Sequence, residues 1–393
     1  MTSAIMPTYA PADIAFEHGE GVYLFSTDGK KYVDFGSGIA VSALGHSHPH
    51  LVAAIQEQAG KVMHYSNLYR IPGQETLAQR LVDNSFASSV FCTNSGAEAV
   101  ECGLKIVRRY HDVNGNPDKY RVITCTGSFH GRTLATLSAA KNEKHMDGFT
   151  PMLDGFDQVP FGNLNELRAA VTEETAAILV EPIQGEGGIT YAEPEYFKRL
   201  RDTADEFGLL LFLDEVQTGI GRTGKLFAHE WADIQPDVVA AAKGLGGGFP
   251  VGAVLATEKA ASGMTAGAHG STFGGNQLAM AVGNAVMDVL MEDGFLDRVH
   301  KSAEYLRESL ERIVVKHPDV VEDVRGMGTM LGLKCKVTNT DLIDRLREEG
   351  LLAVGSGDNV ARLAPPLIVD NAQIDAAVEM IDRACAALGG GDG

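Results

Sequence analysis

LLLFLDEVQTG (209–219) is an unbroken apolar run that ends in a carboxylate, Asp214, and then turns. A run this short, apolar at consecutive positions and closed by polar residues, reads as a strand buried on both faces. Comparable runs recur as SVFCT (89–93), RVITCT (121–126), AAILVEP (176–182) and DVVAAA (237–242). Helical patterns lie between most of them, notably 97–110 and 194–207. Such alternation predicts an α/β fold whose largely parallel sheet is covered on both sides.

Outward from that centre the pattern changes. GVYLFSTDGKKYVDF (21–35) carries an Asp28-Gly29 turn between two β-rich runs and predicts a hairpin. Pro49 opens a helix. After Gly275 the chain turns helical over 277–291, RGMGTMLGLKCKV (325–337) restores strands, and helices follow over 340–349 and 371–387. We expect residues 45–276 to form a large domain. Residues 1–44 are expected to pack with a smaller one built from 277–393. The tail GGGDG is expected to be disordered.

The chain has 393 residues, room for two domains, with 45% hydrophobic and 22% charged residues, ordinary for a globular protein. A net charge of −19 argues against nucleic acid and anionic membranes as partners. The cysteines at 92, 102, 125, 335 and 385 form no CxxC pair, which suits a reducing cytoplasm. The amino terminus shows no basic start followed by an apolar run, so no signal peptide is expected. The weakly charged stretch 238–257 contains Lys243, a proline and a block of glycines, which rules it out as a membrane span.

An acid at a strand end and a lysine opening KGLGGGFP (243–250) suit one chemistry above others, that of pyridoxal phosphate. Asp214 can pair with the pyridine nitrogen and keep it protonated, so that the ring draws electrons from the substrate carbon. Lys243 can hold the aldehyde as a Schiff base if its surroundings favour the neutral amine.

Other segments fit that chemistry, each with a plainer explanation beside it. TNSGAEA (93–99) follows a strand and opens a helix. Ser95 and Glu98 have capping-box spacing, which a well-capped helix alone accounts for. Gly96 also lets a phosphate approach the free N–H groups at the helix start. In GSFHGRTL (127–134), Phe129 is either ordinary core or a platform for a flat ring. Arg132 is either a surface charge or a fork for a carboxylate. In EPIQGEGG (181–188) Glu186 is either solvated or paired with a movable arginine, for which ARLAPPL (361–367) offers Arg362. In GSTFGGN (270–276) Ser271 and Thr272 carry hydroxyls able to reach a phosphate or amide, or they merely form a turn.

Two rival classes are weaker. Gly219 to Lys225 fits the spacing GxxxxGK, but Leu226 stands where a nucleotide-binding loop needs Ser or Thr for magnesium. KGLGGGFP fails the dinucleotide frame at Phe249. The histidines of GHSHPH (45–50) have no acid or cysteine at ligand spacing, and His48 reads as a cap-region residue, so no metal is expected.

Taken in order, DFGSGIAVSALGHSHP, NSGAEA, FHGRTL, EPIQGEGG, LDEVQTGIGRTG, AKGLGGGFPVGA, HGSTFGGN, RGMG and RLAPPL resemble the class III pyridoxal-phosphate aminotransferases over nearly the whole chain. Within that class the likeness is greatest to the members acting on acetylornithine. The resemblance implies fold type I: a large domain around a seven-stranded, mostly parallel sheet, and a small α/β domain built from both termini. It implies a homodimer with each pyridoxal 5'-phosphate at the subunit interface and small amino acids as substrates. By motif, Lys243 and Asp214 are catalytic, and Glu215, Val216 and Gln217 lie beside the cofactor, Gln217 near its ring hydroxyl. Phe129 stacks on the ring. Ser95, Gly96 and Ala97 cradle the phosphate, and Thr272 reaches it from the partner subunit. Arg132 and Ser271 hold acetylornithine, Arg132 by its α-carboxylate. Arg362 takes the α-carboxylate of glutamate and 2-oxoglutarate, and Glu186 neutralises it otherwise. The implied reaction moves the δ-amine of acetylornithine to 2-oxoglutarate, in arginine biosynthesis. Ornithine, succinylornithine, succinyldiaminopimelate and 4-aminobutyrate remain alternative donors within the class. Val100 and Gln277 depart from the Asn and Pro usual in the class, with consequences expected only for local packing.

Overall fold

A computed structural model describes residues 4–389, so the tail from 390 onward lies outside the described residues. Its centre is a seven-stranded sheet in the order Ser89–Thr93, Gly252–Ala256, Val238–Ala241, Leu210–Asp214, Thr175–Val180, Arg121–Cys125, Phe156–Val159. Only Gly252–Ala256 runs antiparallel to its neighbours; the other pairings are parallel. Every residue of Thr175–Val180 and Leu210–Asp214 is buried, as the unbroken apolar runs require of strands covered on two sides. Truncating one such side chain, Phe212→Ala, costs about 3–5 kcal/mol.

The covering helices follow local rules. The helix Pro194–Phe207 has proline in its first turn and buries Phe197, Leu200 and Ala204 on one stripe. It stops at Gly208 in a left-handed conformation, and the chain enters the next strand directly. The helix Gly96–Val113 starts at Ser95, whose hydroxyl accepts the Glu98 N–H at 3.2 Å. It buries Val100, Leu104 and Val107. These crossovers bring the carboxyl ends of the parallel strands to one edge, where Glu181, Asp214 and Lys243 all emerge. Ligands of open α/β sheets bind at that edge.

Two strands of this sheet stand where the sequence suggests none. Phe156–Val159 (FDQV) has too few apolar residues to signal itself. Gly252–Ala256 follows directly on the glycines of 244–248, which obscure it. The helix Pro72–Asp83 and the strand Phe16–Glu20 are likewise additions.

The second core is built from both ends of the chain. The hairpin Tyr23–Ser26 and Lys31–Asp34 pairs through its second strand, in parallel, with Leu351–Leu352. An antiparallel sheet, Val321–Met327, Met330–Cys335, Val360–Leu363 and Val354–Ser356, lies beside it. The core does not change at 276. The helix Gln277–Leu290 buries Met280, Val282, Val286 and Met287 in the same cluster as the large sheet, because its apolar residues face the helix Pro49–Ala59. The long helix Phe295–Lys316 spans the two cores, with Phe295 and Val299 in the first and Leu306, Leu310 and Ile313 in the second. We propose that the domain boundary falls within that helix rather than at 276.

Candidate active site

A cleft of about 420 Å³ opens at the carboxyl edge of the large sheet. Ser95, Gly96, Ala97, Phe129, Arg132, Asp214, Val216, Gln217 and Lys243 line it. Residues expected from separate parts of the sequence therefore meet in one place.

Lys243 follows the strand Val238–Ala241 and sits at φ +44°, a left-handed conformation that costs a non-glycine residue energy and is typical of functional sites. Part of the residue faces the cleft, yet its amine is sheltered: burial, then the positive charge of Arg362, brings its pKa down to about 8. At pH 7 about one amine in ten is then neutral, against about one in several thousand for an ordinary lysine. Lys243 has no hydrogen-bond or ion-pair partner among the described residues, so its amine is free to react.

Asp214 ends its strand nearly buried, 4% exposed. Its Oδ1 accepts the Val216 N–H at 3.1 Å, and its Oδ2 lies 2.8 Å from His130 Nδ1. Burial disfavours a charge on His130, but the hydrogen bond to Asp214 and the charges of Asp214 and Glu181 outweigh it, and its pKa rises. Glu181 is buried beside them and accepts the N–H groups of Phe129 at 2.8 Å and Gly185 at 3.2 Å. Burial pushes its pKa up to about 7. Sequence reading passed over His130 and Glu181, although both stand inside the motifs FHGRTL and EPIQGEGG. Their position after a strand was the available signal.

At the other end of the cleft the helix Gly96–Val113 begins. The N–H groups of Ser95, Gly96 and Ala97 have no partner among the described residues. Three free donors at a helix start suit a phosphate. The turn tolerates no bulk: a Cβ on Gly96 would lie 2.6 Å from Val216 Cγ1. Gly131, at φ +132°, lets the 127–133 turn press on Ala97, where a Cβ would come within 2.8 Å. Glu98 completes the cap one residue away from the capping-box expectation, through Asn94 N–H at 2.7 Å.

Arg362 is 1% exposed. Its Nη1 donates to Gly185 O at 2.9 Å, Glu186 Oε1 at 2.7 Å and Gln217 Oε1 at 2.9 Å, while its buried Nη2 has no partner. Arg132 lies at the cleft mouth, its guanidinium 5.8 Å from the Phe129 ring centre.

Arg362 and Glu186 do not line the cleft but adjoin it through Gln217, and three further expected residues stand elsewhere. Glu215 does not line the cleft; its carboxylate is turned away and binds the N–H groups of Ala228 and His229, the His229 ring and Thr218. Alternation along the extended chain after Asp214 sends the neighbouring side chain to the opposite face. Ser271 accepts from Asn94 Nδ2 and Gly274 N–H, and Thr272 is exposed; neither lines this chain's cleft. The 219–225 loop reaches the second core through Arg222, fully buried against Thr329 and Pro365. Of the clustered histidines, His46 contacts Asp34 and His50 contacts Asp288, each at 2.8 Å. No helix of the described residues is long and apolar enough to cross a membrane.

Comparison with known proteins places this geometry. The family model for class III aminotransferases matches residues 5–385. Acetylornithine aminotransferase of Mesorhizobium japonicum is 59% identical over 379 residues, 96% of this chain and 95% of the relative. Among solved structures, the ornithine aminotransferase of Toxoplasma gondii superposes with a TM-score of 0.94 at 29% identity, covering 98% of this chain and 93% of that one. The N-acetylornithine aminotransferase of Stenotrophomonas maltophilia does so at 0.85 and 37% identity, covering 96% and 97%. The chain belongs to the class III aminotransferases.

Proposed function

We propose that the chain transfers the δ-amino group of N2-acetyl-L-ornithine to 2-oxoglutarate, forming N-acetyl-L-glutamate 5-semialdehyde and L-glutamate, a step of arginine biosynthesis. As a class III aminotransferase it uses pyridoxal 5'-phosphate. The residues present suit that group: free N–H donors for a phosphate, a buried aspartate for a ring nitrogen, and an unpaired amine of lowered pKa. The names of the relatives at 59% and 56% identity favour acetylornithine as donor.

When bound, the cofactor supplies an electron sink next to the nitrogen of the amino donor. The chain does the rest. The N–H groups of Ser95, Gly96 and Ala97 would bind its phosphate, and Phe129 would offer a ring face. Asp214, held by Val216 N–H and His130, would keep a proton on the pyridine nitrogen. Gln217 would lie near the ring hydroxyl. Lys243 Nζ would take the proton from the substrate carbon and return it one position away.

One observation carries the substrate reading: Arg132 lines the cleft, Arg362 adjoins it through Gln217, and the two arginines have different partners. Arg132 has no carboxylate partner among the described residues and is open to the α-carboxylate of acetylornithine. Arg362 is neutralised by Glu186 at 2.7 Å. When 2-oxoglutarate or glutamate enters, Glu186 gives way and Arg362 takes the α-carboxylate. One site thereby accepts an ω-amine and then an α-amine.

The active unit in this reading is a cytoplasmic homodimer. Met63, Leu68, Tyr69 and Phe273 are exposed, and the 270–276 loop bonds to Asn67, so they lie along neighbouring segments. An apolar surface of this kind suits a second copy, which would bring Ser271 and Thr272 to the partner's cleft. The buried free cysteines suit a reducing compartment. Rates on acetylornithine, ornithine, succinylornithine, succinyldiaminopimelate and 4-aminobutyrate test the substrate. A preference for unacetylated ornithine would overturn it and leave the class intact. Sedimentation at working concentration tests the dimer, and a monomer with full activity would refute it.

A further inference from the structure

Arg132 is held at the cleft mouth by an unusual partner for a guanidinium. Its Nη2 lies 3.0 Å from His145 Nε2. An arginine can only donate, so this imidazole nitrogen accepts and the ring is neutral. The same histidine meets the Phe129 ring edge-on, at 6.0 Å and 90°. Phe129, Arg132 and His145 therefore form one packed set. His145 belongs to the short helix Glu143–Met146, which Asn142 caps through the Lys144 N–H. A carboxylate in its place would compete with the substrate for the charge. A neutral acceptor fixes the fork and leaves its charge, and its other N–H groups, for an incoming carboxylate.

We propose that His145 is a positioning residue that holds Arg132 over Phe129 to receive the carboxylate of the amino donor, and that protonation of His145 breaks this hold. The proposal rests on the reading of Arg132 as the donor-carboxylate site. The charged groups around His145 are Arg132 from the 127–133 turn, Lys144 on its own helix and Glu186 from the 185–188 turn. Burial first, then Arg132, favour the neutral ring, Lys144 adds to them, and Glu186 alone opposes; the net direction is down. Glu186 is also the partner of Arg362, so His145 stands within electrostatic reach of both arginine sites.

The test follows single-turnover amine half-reactions of the dimeric holoenzyme with two donors, N2-acetyl-L-ornithine and N-acetylputrescine, which lacks the carboxylate. His145→Ala is expected to lower kcat/KM for acetylornithine about ten-fold, mainly through KM, and to affect N-acetylputrescine far less. His145→Gln keeps an acceptor and is expected to restore most of the loss. In the wild type the acetylornithine-to-acetylputrescine ratio of kcat/KM should hold from about pH 8 down to about 6.5 and fall only below it, because the pKa of His145 is lowered, and it should stay flat throughout in His145→Gln. Equal losses on both donors, or no loss, would overturn the proposal. Arg132→Ala separates the two readings. If it fails to discriminate the donors, the assignment of Arg132 falls; if it discriminates and His145→Ala does not, only the role of His145 falls.

Discussion

The floor and the mouth of the cleft are built on opposite plans. At the floor, Asp214 and Glu181 are buried at strand ends, His130 is buried in the turn after a strand, all three are hydrogen-bonded, and Lys243 is strained into place. At the mouth, Arg132 is exposed, and Arg362, which adjoins the cleft through Gln217, is held by a glutamate that is itself part-exposed, 32% at its side chain. In the proposed function a fixed floor would keep one chemistry constant, while an adjustable mouth would let two substrates use it. Electrostatic preorganisation works only if the groups do not reorganise at the moment of reaction, which the floor satisfies. The mouth must do the reverse.

The contrast can be broken from either side. Lys243→Ala should remove the reactive amine and lower turnover about 10⁴-fold, measured as steady-state rate with added cofactor. Asp214→Ala should retain some cofactor and lose about 10³-fold in turnover, because the pyridine nitrogen is no longer held protonated. Near-normal turnover in that variant would undo the plan of the floor. At the mouth, Arg362→Ala should lower kcat/KM of the 2-oxoglutarate half-reaction about 10²-fold more than that of the amine half-reaction. Equal losses would mean that the mouth is as fixed as the floor.

Two smaller effects sharpen the picture. Because burial brings Lys243 to about 8, the rate at which the apoprotein captures pyridoxal 5'-phosphate should rise with pH as the ammonium loses its proton, and level off above about 8. A rise continuing to about 10 would show an ordinary, solvated lysine. Glu215→Gln should lower the melting temperature, since its carboxylate holds the 228–229 backbone, and leave kcat/KM within about two-fold. A large loss of activity there would return Glu215 to the site.

The floor was the more legible region in the sequence, for a physical reason. Unbroken apolar runs force buried parallel strands, and residues such as Asp214 at their ends must fall on the ligand edge. The same logic reached Lys243 and the 95–97 turn. It did not separate Asp214 from Glu215, because adjacent residues differ only in which face they take, and tertiary packing decides that. It passed over His130 because a histidine has no periodicity of its own; only its Nδ1 contact with Asp214 reveals it. The mouth depends on contacts between distant segments, such as Arg362 with Gly185 and Gln217, which no local pattern encodes. The helix Gln277–Leu290 read correctly as a helix, but its allegiance to the large core is a packing outcome.

The most direct test of the account is the visible spectrum of the purified protein supplied with pyridoxal 5'-phosphate. The account predicts a band at about 410–430 nm that disappears on adding N2-acetyl-L-ornithine, returns on adding 2-oxoglutarate, and is absent in Lys243→Ala. The same band, with the same response to both substrates, in Lys243→Ala would contradict it.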